Sequence, residues 1–149
     1  MKFDAHEVDK NLWVGATPTG DADVRGFDLV VLAAEERQPQ LYGTRVLRVP
    51  LDDAKPSEED VRKAWAASQI IAAARSRGAN VLIACNMGIN RSSWIAAMVL
   101  MRSGMTADQA IRRIRWRRKH PLLKPLSNPY FVEVLHALDA QRQGASASV

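Results

Sequence analysis

At 149 residues, with 47% hydrophobic and 25% charged side chains, the chain is about one domain long and apolar enough for a core of its own. Its single cysteine, Cys85, excludes an internal disulfide and with it the cross-linked scaffold of small secreted domains. The net charge is +5, and the longest wholly apolar stretch, residues 94–101, is far short of the roughly 20 residues that span a bilayer.

In chain order, Lys2, Asp4 and Glu7 put charges where a secretory leader needs an apolar run, so a cytoplasmic location is expected. Strands are predicted at residues 12–15, 29–33, 46–51 and 81–84, each short and mostly apolar. A long helix should begin after Pro56, with Ser57 as N-cap and Glu58, Glu59 and Asp60 favouring its positive end. Val61, Ala64, Trp65, Ser68, Ile71 and Ala72 then share a face, and Gly78 is placed to end the helix. The 94–101 stretch is apolar all round, which predicts a buried helix stopped by Gly104. Thr106-Ala107-Asp108-Gln109 reads as a capping box opening the next helix, which Pro121 and Pro125 break; a last helix covers 130–142. Trp13, Trp65 and Trp94 are read as core. The alternation of strands and helices predicts a single α/β domain over residues 1–143, with a central four- to five-stranded, mostly parallel sheet flanked by helices. The small, polar residues 144–149 are expected to form a flexible tail.

The segment Cys85-Asn86-Met87-Gly88-Ile89-Asn90-Arg91-Ser92 lies between an apolar strand and an apolar helix. It must therefore be a tight strand-to-helix loop. Its backbone N–H groups, with the free N–H groups of the helix start, favour an anion in their concavity. A thiol at the first position and a guanidinium at the last converge on that anion. Arginine offers a planar fork that matches two phosphate oxygens, and a positive environment favours the nucleophilic thiolate. An arginine at a helix start opposes the helix dipole, an objection that a bound anion removes.

The spacing Cys-x5-Arg-Ser resembles the signature loop of the protein tyrosine phosphatase superfamily, in its small dual-specificity branch. The resemblance extends to residues 11–15 and 27–33 as strands and to Val49-Pro50-Leu51-Asp52-Asp53 as the loop carrying an acid. It continues through the helix pair at 102–118 and through Ser127-Asn128-Pro129-Tyr130-Phe131 as a closing segment. It implies a phosphatase fold and a metal-free, cofactor-free reaction. Cys85 would attack phosphorus to give a phosphocysteine. Asn86, Met87, Gly88, Ile89, Asn90 and Arg91 would hold the phosphoryl oxygens. Asp53, with Asp52 as the neighbour to test beside it, would protonate the leaving group, and Ser92 would assist release of the sulfur. Read alone, Ser92 serves equally as a helix cap, and Asn90 as a brace or an ordinary loop residue. His6, His120 and His136 lack ligand spacing.

One position departs from the family pattern. Ala84 stands where members usually carry histidine, a residue that helps order the loop and favour the thiolate. The departure implies slow turnover or an alkaline-shifted optimum, and at the extreme a weakly active phosphate-binding pseudophosphatase.

The charge is concentrated. Residues 102–124 hold eight Lys or Arg against one acid, Asp108. On a helix Ala107, Ala110, Ile111 and Ile114 face inward, while Arg112, Arg115, Trp116 and Lys119 face outward. This is a solvated face, or a docking surface for an acidic partner or nucleic acid along residues 112–119. Asn90 before the arginine also resembles RNA 5′-phosphatases of the same superfamily. Those generally lack the acid, so Asp53 favours ester substrates with poorer leaving groups, and phosphorylated protein, phosphotyrosine first, is the expected substrate. The absence of Lys or Arg at 86–90 weighs against inositol phosphates. The lone cysteine weighs against arsenate reduction.

Overall fold

The computed structural model describes residues 3–147. Its sheet has the order β1-β2-β5-β3-β4, with β1 (Ala5–Asp9), β2 (Leu12–Ala16), β3 (Leu29–Ala34), β4 (Arg45–Leu51) and β5 (Val81–Cys85). Strands β2, β5, β3 and β4 run parallel. The four expected strands lie within a residue or so of their predicted bounds.

The exception is β1, which pairs antiparallel with β2 and was not anticipated. Its sequence, Ala-His-Glu-Val-Asp, buries only Val8, so it carries none of the apolar run that marks a strand. Pairing with β2, rather than burial, makes it a strand. The reversal uses Asn11 at φ 61°, a left-handed conformation that asparagine tolerates better than most residues.

Helix α1 (Glu58–Ser76) returns the chain from edge strand β4 to central strand β5. Ser57 caps it, accepting from the Asp60 N–H, while the Asp60 carboxylate accepts from the Ser57 N–H. Such caps stabilise by about 1 kcal/mol each. Ala64, Ala67, Ser68 and Ile71 are buried, with Val61, Trp65 and Ala72 packed beside them. Gly78 follows the helix at φ +92°.

Every residue of β5 is buried, as expected of a central parallel strand. Its alternate side chains enter two different cores. Val81, Ile83 and Cys85 pack with the helices, whereas Leu82 and Ala84 join Val24, Val30, Leu32 and Leu41. The cover is thus asymmetric: helices on one face, and a 3-10 turn (Asp21–Val24) with connecting segments on the other.

Helix α2 (Arg91–Arg102) is the buried helix foreseen from its composition: residues 91 through 101 are all buried. Trp94 stacks on Phe131 at 4.3 Å between ring centroids. Helix α3 (Ala107–Arg117) opens on the expected Thr106–Gln109 capping box. Helix α4 (Pro129–Ala147) runs past the predicted end at 142 into the segment read as a tail; residues 148 and 149 lie outside the described residues. Among the described residues no helix is long and apolar enough to cross a membrane.

Candidate active site

The site forms where β5 ends, at the carboxyl edge of the parallel strands, the usual place for a ligand crevice in an open α/β sheet. Residues 86–90 turn the chain from Cys85 into α2. Gly88 makes the turn possible for two reasons. Its φ is +69°, and a Cβ there would lie 2.6 Å from the carbonyl carbon of Gly15 and 2.7 Å from Nη2 of Arg118. Only glycine fits such an approach.

A cleft of about 130 Å³ is lined by Asp53, Cys85, Asn86, Met87, Ile89, Asn90, Arg91, Leu123 and Ser127. Cys85 Sγ lies 3.2 Å from Ser92 Oγ, both buried. The hydroxyl therefore does not cap α2. The N-cap residue is Asn90, whose side chain makes no capping bond. First-turn N–H groups of a helix have no intrahelical acceptor and face outward along the axis, here toward the loop.

Arg91 is 5% exposed. Its Nη1 donates to Glu36 Oε1 at 2.5 Å and to the Leu51 carbonyl at 2.9 Å, and its Nη2 donates to Glu36 Oε2 at 2.7 Å. Nε is buried with no acceptor among the described residues. Hydrogen bonds from Arg91 hold the Glu36 carboxyl down at about 2. Burial opposes the charge of Arg91, but the bonds to Glu36 together with the surrounding charge of Cys85, Glu36 and Asp53 outweigh it, so the guanidinium is held above its usual range. Sequence reading missed Glu36. Its only signal was a charged pair, Glu35-Glu36, directly after a wholly buried strand.

Asp53 is carried over the cleft by the loop after β4. Its Oδ2 accepts from Asn90 Nδ2 at 3.0 Å and its Oδ1 from Asn128 Nδ2 at 2.9 Å. Asn90 Oδ1 in turn accepts from the Asn128 N–H at 3.0 Å, and Asn128 Oδ1 accepts from the N–H of Tyr130, capping α4. Two amides therefore lock the acid loop, the phosphate loop and the start of α4 together. Asp52 is exposed and does not line the cleft. Asn90 is a brace. Asn128, Leu123 and Ser127 were not foreseen as site residues, because they arrive from the turn before α4.

Of the residues expected to face outward, Arg112, Trp116 and Lys119 do so and Arg115 is half-buried. Arg118 is wholly buried, because α3 ends at Arg117 and the next residue takes an extended conformation. Arg115 donates to the carbonyls of Pro125 and Leu126, and Arg113 pairs with Asp9. Arg112, Trp116, Arg117 and Lys119 remain exposed, while Ala107, Ala110, Ile111 and Ile114 are buried as expected.

A cysteine and an arginine at the two ends of one anion-cradling loop, under a braced aspartate, define the phosphatases that use a Cys-x5-Arg loop. The family model "Dual specificity phosphatase, catalytic domain" matches residues 12–138, and the chain belongs to that family, in the small dual-specificity branch of the protein tyrosine phosphatase superfamily. Among solved structures it is similar to human DUSP28, with 23% identity, 96% of this chain and 97% of that one covered, and a TM-score of 0.80. It is also similar to Tk-PTP in its active form, with 27% identity, 94% and 99% covered, and a TM-score of 0.77. DUSP15 matches at 23% identity, with 91% and 86% covered and a TM-score of 0.72. The likenesses to DUSP28 and DUSP15 speak to the fold. No curated protein matches the chain in sequence. The chain is therefore a dual-specificity or tyrosine phosphatase, acting on phosphorylated substrates.

Proposed function

We propose that the chain hydrolyses phosphotyrosine in proteins, and phosphoserine and phosphothreonine where they reach the cleft, through a phosphocysteine intermediate. The observation that carries this reading is the Cys85–Ser92 contact of 3.2 Å in a cleft that Arg91 and Asp53 also line. The Cys85 thiolate attacks phosphorus; the S–P bond forms as the ester P–O bond breaks, and the Asp53 carboxyl gives its proton to the departing oxygen. Arg91 and the loop N–H groups take up the charge on the three equatorial oxygens. Water then attacks phosphorus and passes a proton to the Asp53 carboxylate. The S–P bond breaks, phosphate leaves, and the Ser92 hydroxyl donates to the departing thiolate. The apolar rim of Met87 and Leu123, each partly exposed, suits the ring of a phosphotyrosine.

The RNA 5′-phosphatase alternative is less favoured, since the braced Asp53 has no task on a polyphosphate and residues 86–90 bring no cation. An acidic partner or nucleic acid on the α3 face would have only Arg112, Arg117 and Lys119 with Trp116 to engage. A cytoplasmic setting suits a lone nucleophilic thiol.

The test is metal-free hydrolysis of an aryl phosphate from about pH 5 to 9, comparing the parent with Cys85→Ser and Asp53→Asn. Turnover that vanishes in Cys85→Ser supports the reading. Binding of phosphate analogues without turnover by the parent at any pH sinks it and leaves a phosphate-binding pseudophosphatase.

A further inference from the structure

Arg118 has no exposed surface, and all five of its N–H donors are engaged. Nε donates to the Gly88 carbonyl at 3.0 Å, and Nη2 to the Met87 carbonyl at 2.8 Å and to Asp4 Oδ2 at 3.1 Å. Nη1 donates to Asp4 Oδ1 at 2.6 Å and faces His6 Nδ1 at 2.9 Å. A guanidinium buried this completely is strongly destabilising unless its donors are met, and here two of the five acceptors are phosphate-loop carbonyls. In a trans peptide the carbonyl and the following N–H point in opposite directions. Drawing the Met87 and Gly88 carbonyls toward Arg118 therefore turns the N–H groups of Gly88 and Ile89 away from it.

Ala84 is fully buried in the apolar cluster on the sheet's other face and has no polar group with which to order the loop. The loop's polar brace comes instead from Arg118. What fixes Arg118 is Asp4, together with His6. Both precede residue 12, where the match to the family model begins. The Arg118 bonds lower the carboxyl of Asp4, and burial with the Arg118 charge lowers the imidazole of His6, so the neutral ring offers Nδ1 as acceptor.

We propose that Arg118 is a positioning residue for the phosphate loop and that Asp4 locks it in place, so that residues upstream of the family match set the affinity for the phosphoryl group. The proposal rests on reading residues 86–91 as the phosphate cradle. Asp4 is half exposed, so Asp4→Asn keeps the shape and the fold while removing the charge and one of two acceptors. Arg118→Lys removes the fork, and Asp4→Glu is the conservative rescue.

The experiment measures amide hydrogen exchange across the chain alongside orthovanadate binding. In Asp4→Asn and Arg118→Lys, exchange in 86–91 should rise about ten-fold with β3 and β5 still protected, and orthovanadate affinity should fall about ten-fold. Asp4→Glu should lie between them and the parent. Unchanged loop exchange, a rise spread evenly over the sheet, or a looser loop with undiminished orthovanadate affinity each overturns the proposal. A parent that neither binds orthovanadate nor hydrolyses aryl phosphate would end the phosphate-cradle reading and the affinity claim with it. Faster loop exchange in the variants would still establish the brace itself.

Discussion

Glu36 and Arg91 meet fork to fork, with Nη1 2.5 Å from Oε1 and Nη2 2.7 Å from Oε2. The pair fixes the plane of the guanidinium, and the Leu51 carbonyl fixes its rotation. Arg91 is therefore held in place by the turn after β3 and by the end of β4, not by its own helix. A planar donor set oriented in advance loses little entropy on meeting phosphate.

Replacing Glu36 with glutamine should raise KM for an aryl phosphate about ten-fold, with a smaller fall in kcat, because Arg91 is freed rather than removed. It should also change the acid limb of stability. The Glu36 carboxyl lies at about 2 against an ordinary 4.5. A depressed carboxyl adds stability that is fully present above its unfolded value and is lost as pH falls through the folded one. Glu36 is about half exposed, and solvent screening limits the effect to about 1 kcal/mol. The parent's melting temperature should fall more steeply than the Glu36→Gln variant's between about pH 4.5 and 2, by roughly 2–4 °C. Parallel thermal scans at several pH values would check it; superimposable slopes would count against the pair.

Asp53→Asn should lower kcat about 10²- to 10³-fold on a phosphate ester with a poor leaving group and much less on one whose leaving group needs no proton. Asp52→Asn, altering an exposed carboxylate away from the cleft, should stay within about two-fold of the parent. A series of aryl phosphates of graded leaving-group pKa distinguishes the two. Asn90→Ala and Asn128→Ala should reproduce part of the Asp53 pattern, because their amides aim the carboxyl.

Ser92→Ala should leave attack on phosphorus nearly intact and slow breakdown of the phosphoenzyme about ten-fold. The signature is a burst of aryl alcohol, one equivalent per enzyme, before a slow steady state. A uniform fall in both phases would assign the hydroxyl to attack instead.

Gly88→Ala should be destabilising by about 1–3 kcal/mol, from a Cβ at positive φ that overlaps the Gly15 backbone. Activity per folded molecule should fall as well, since the collision lies within the loop that orients the donors. Chemical denaturation, with the folded fraction used to normalise the rate, separates the two effects.

The legible parts of this chain are those in which one residue type admits few local solutions. An apolar run of four bounded by turn residues is a strand, a run of eight apolar on all sides is a buried helix, and Ser57 or Thr106 three residues before Asp60 or Gln109 is a helix start. Cys85, Gly88 and Arg91 were legible because a single loop carries them and short-range geometry dictates what such a loop can bind. Strand β1 was not legible, since its side chains are mostly polar and its state depends on hydrogen bonds to β2. On the outward face of α3 only Arg115 was misjudged, because helical spacing cannot foresee carbonyls arriving from 125 and 126.

By itself the sequence determined the class of fold, the order of its main elements and the loop that holds the thiol and the guanidinium, all set by interactions within a few residues. Tertiary structure alone decided the partners of those groups. Glu36 reaches Arg91 across 55 residues, Asn128 reaches Asp53 across 75, and Asp4 reaches Arg118 across 114. Each is a charged or amide group whose pairing depends on where the backbone carries it, and periodicity holds no record of that.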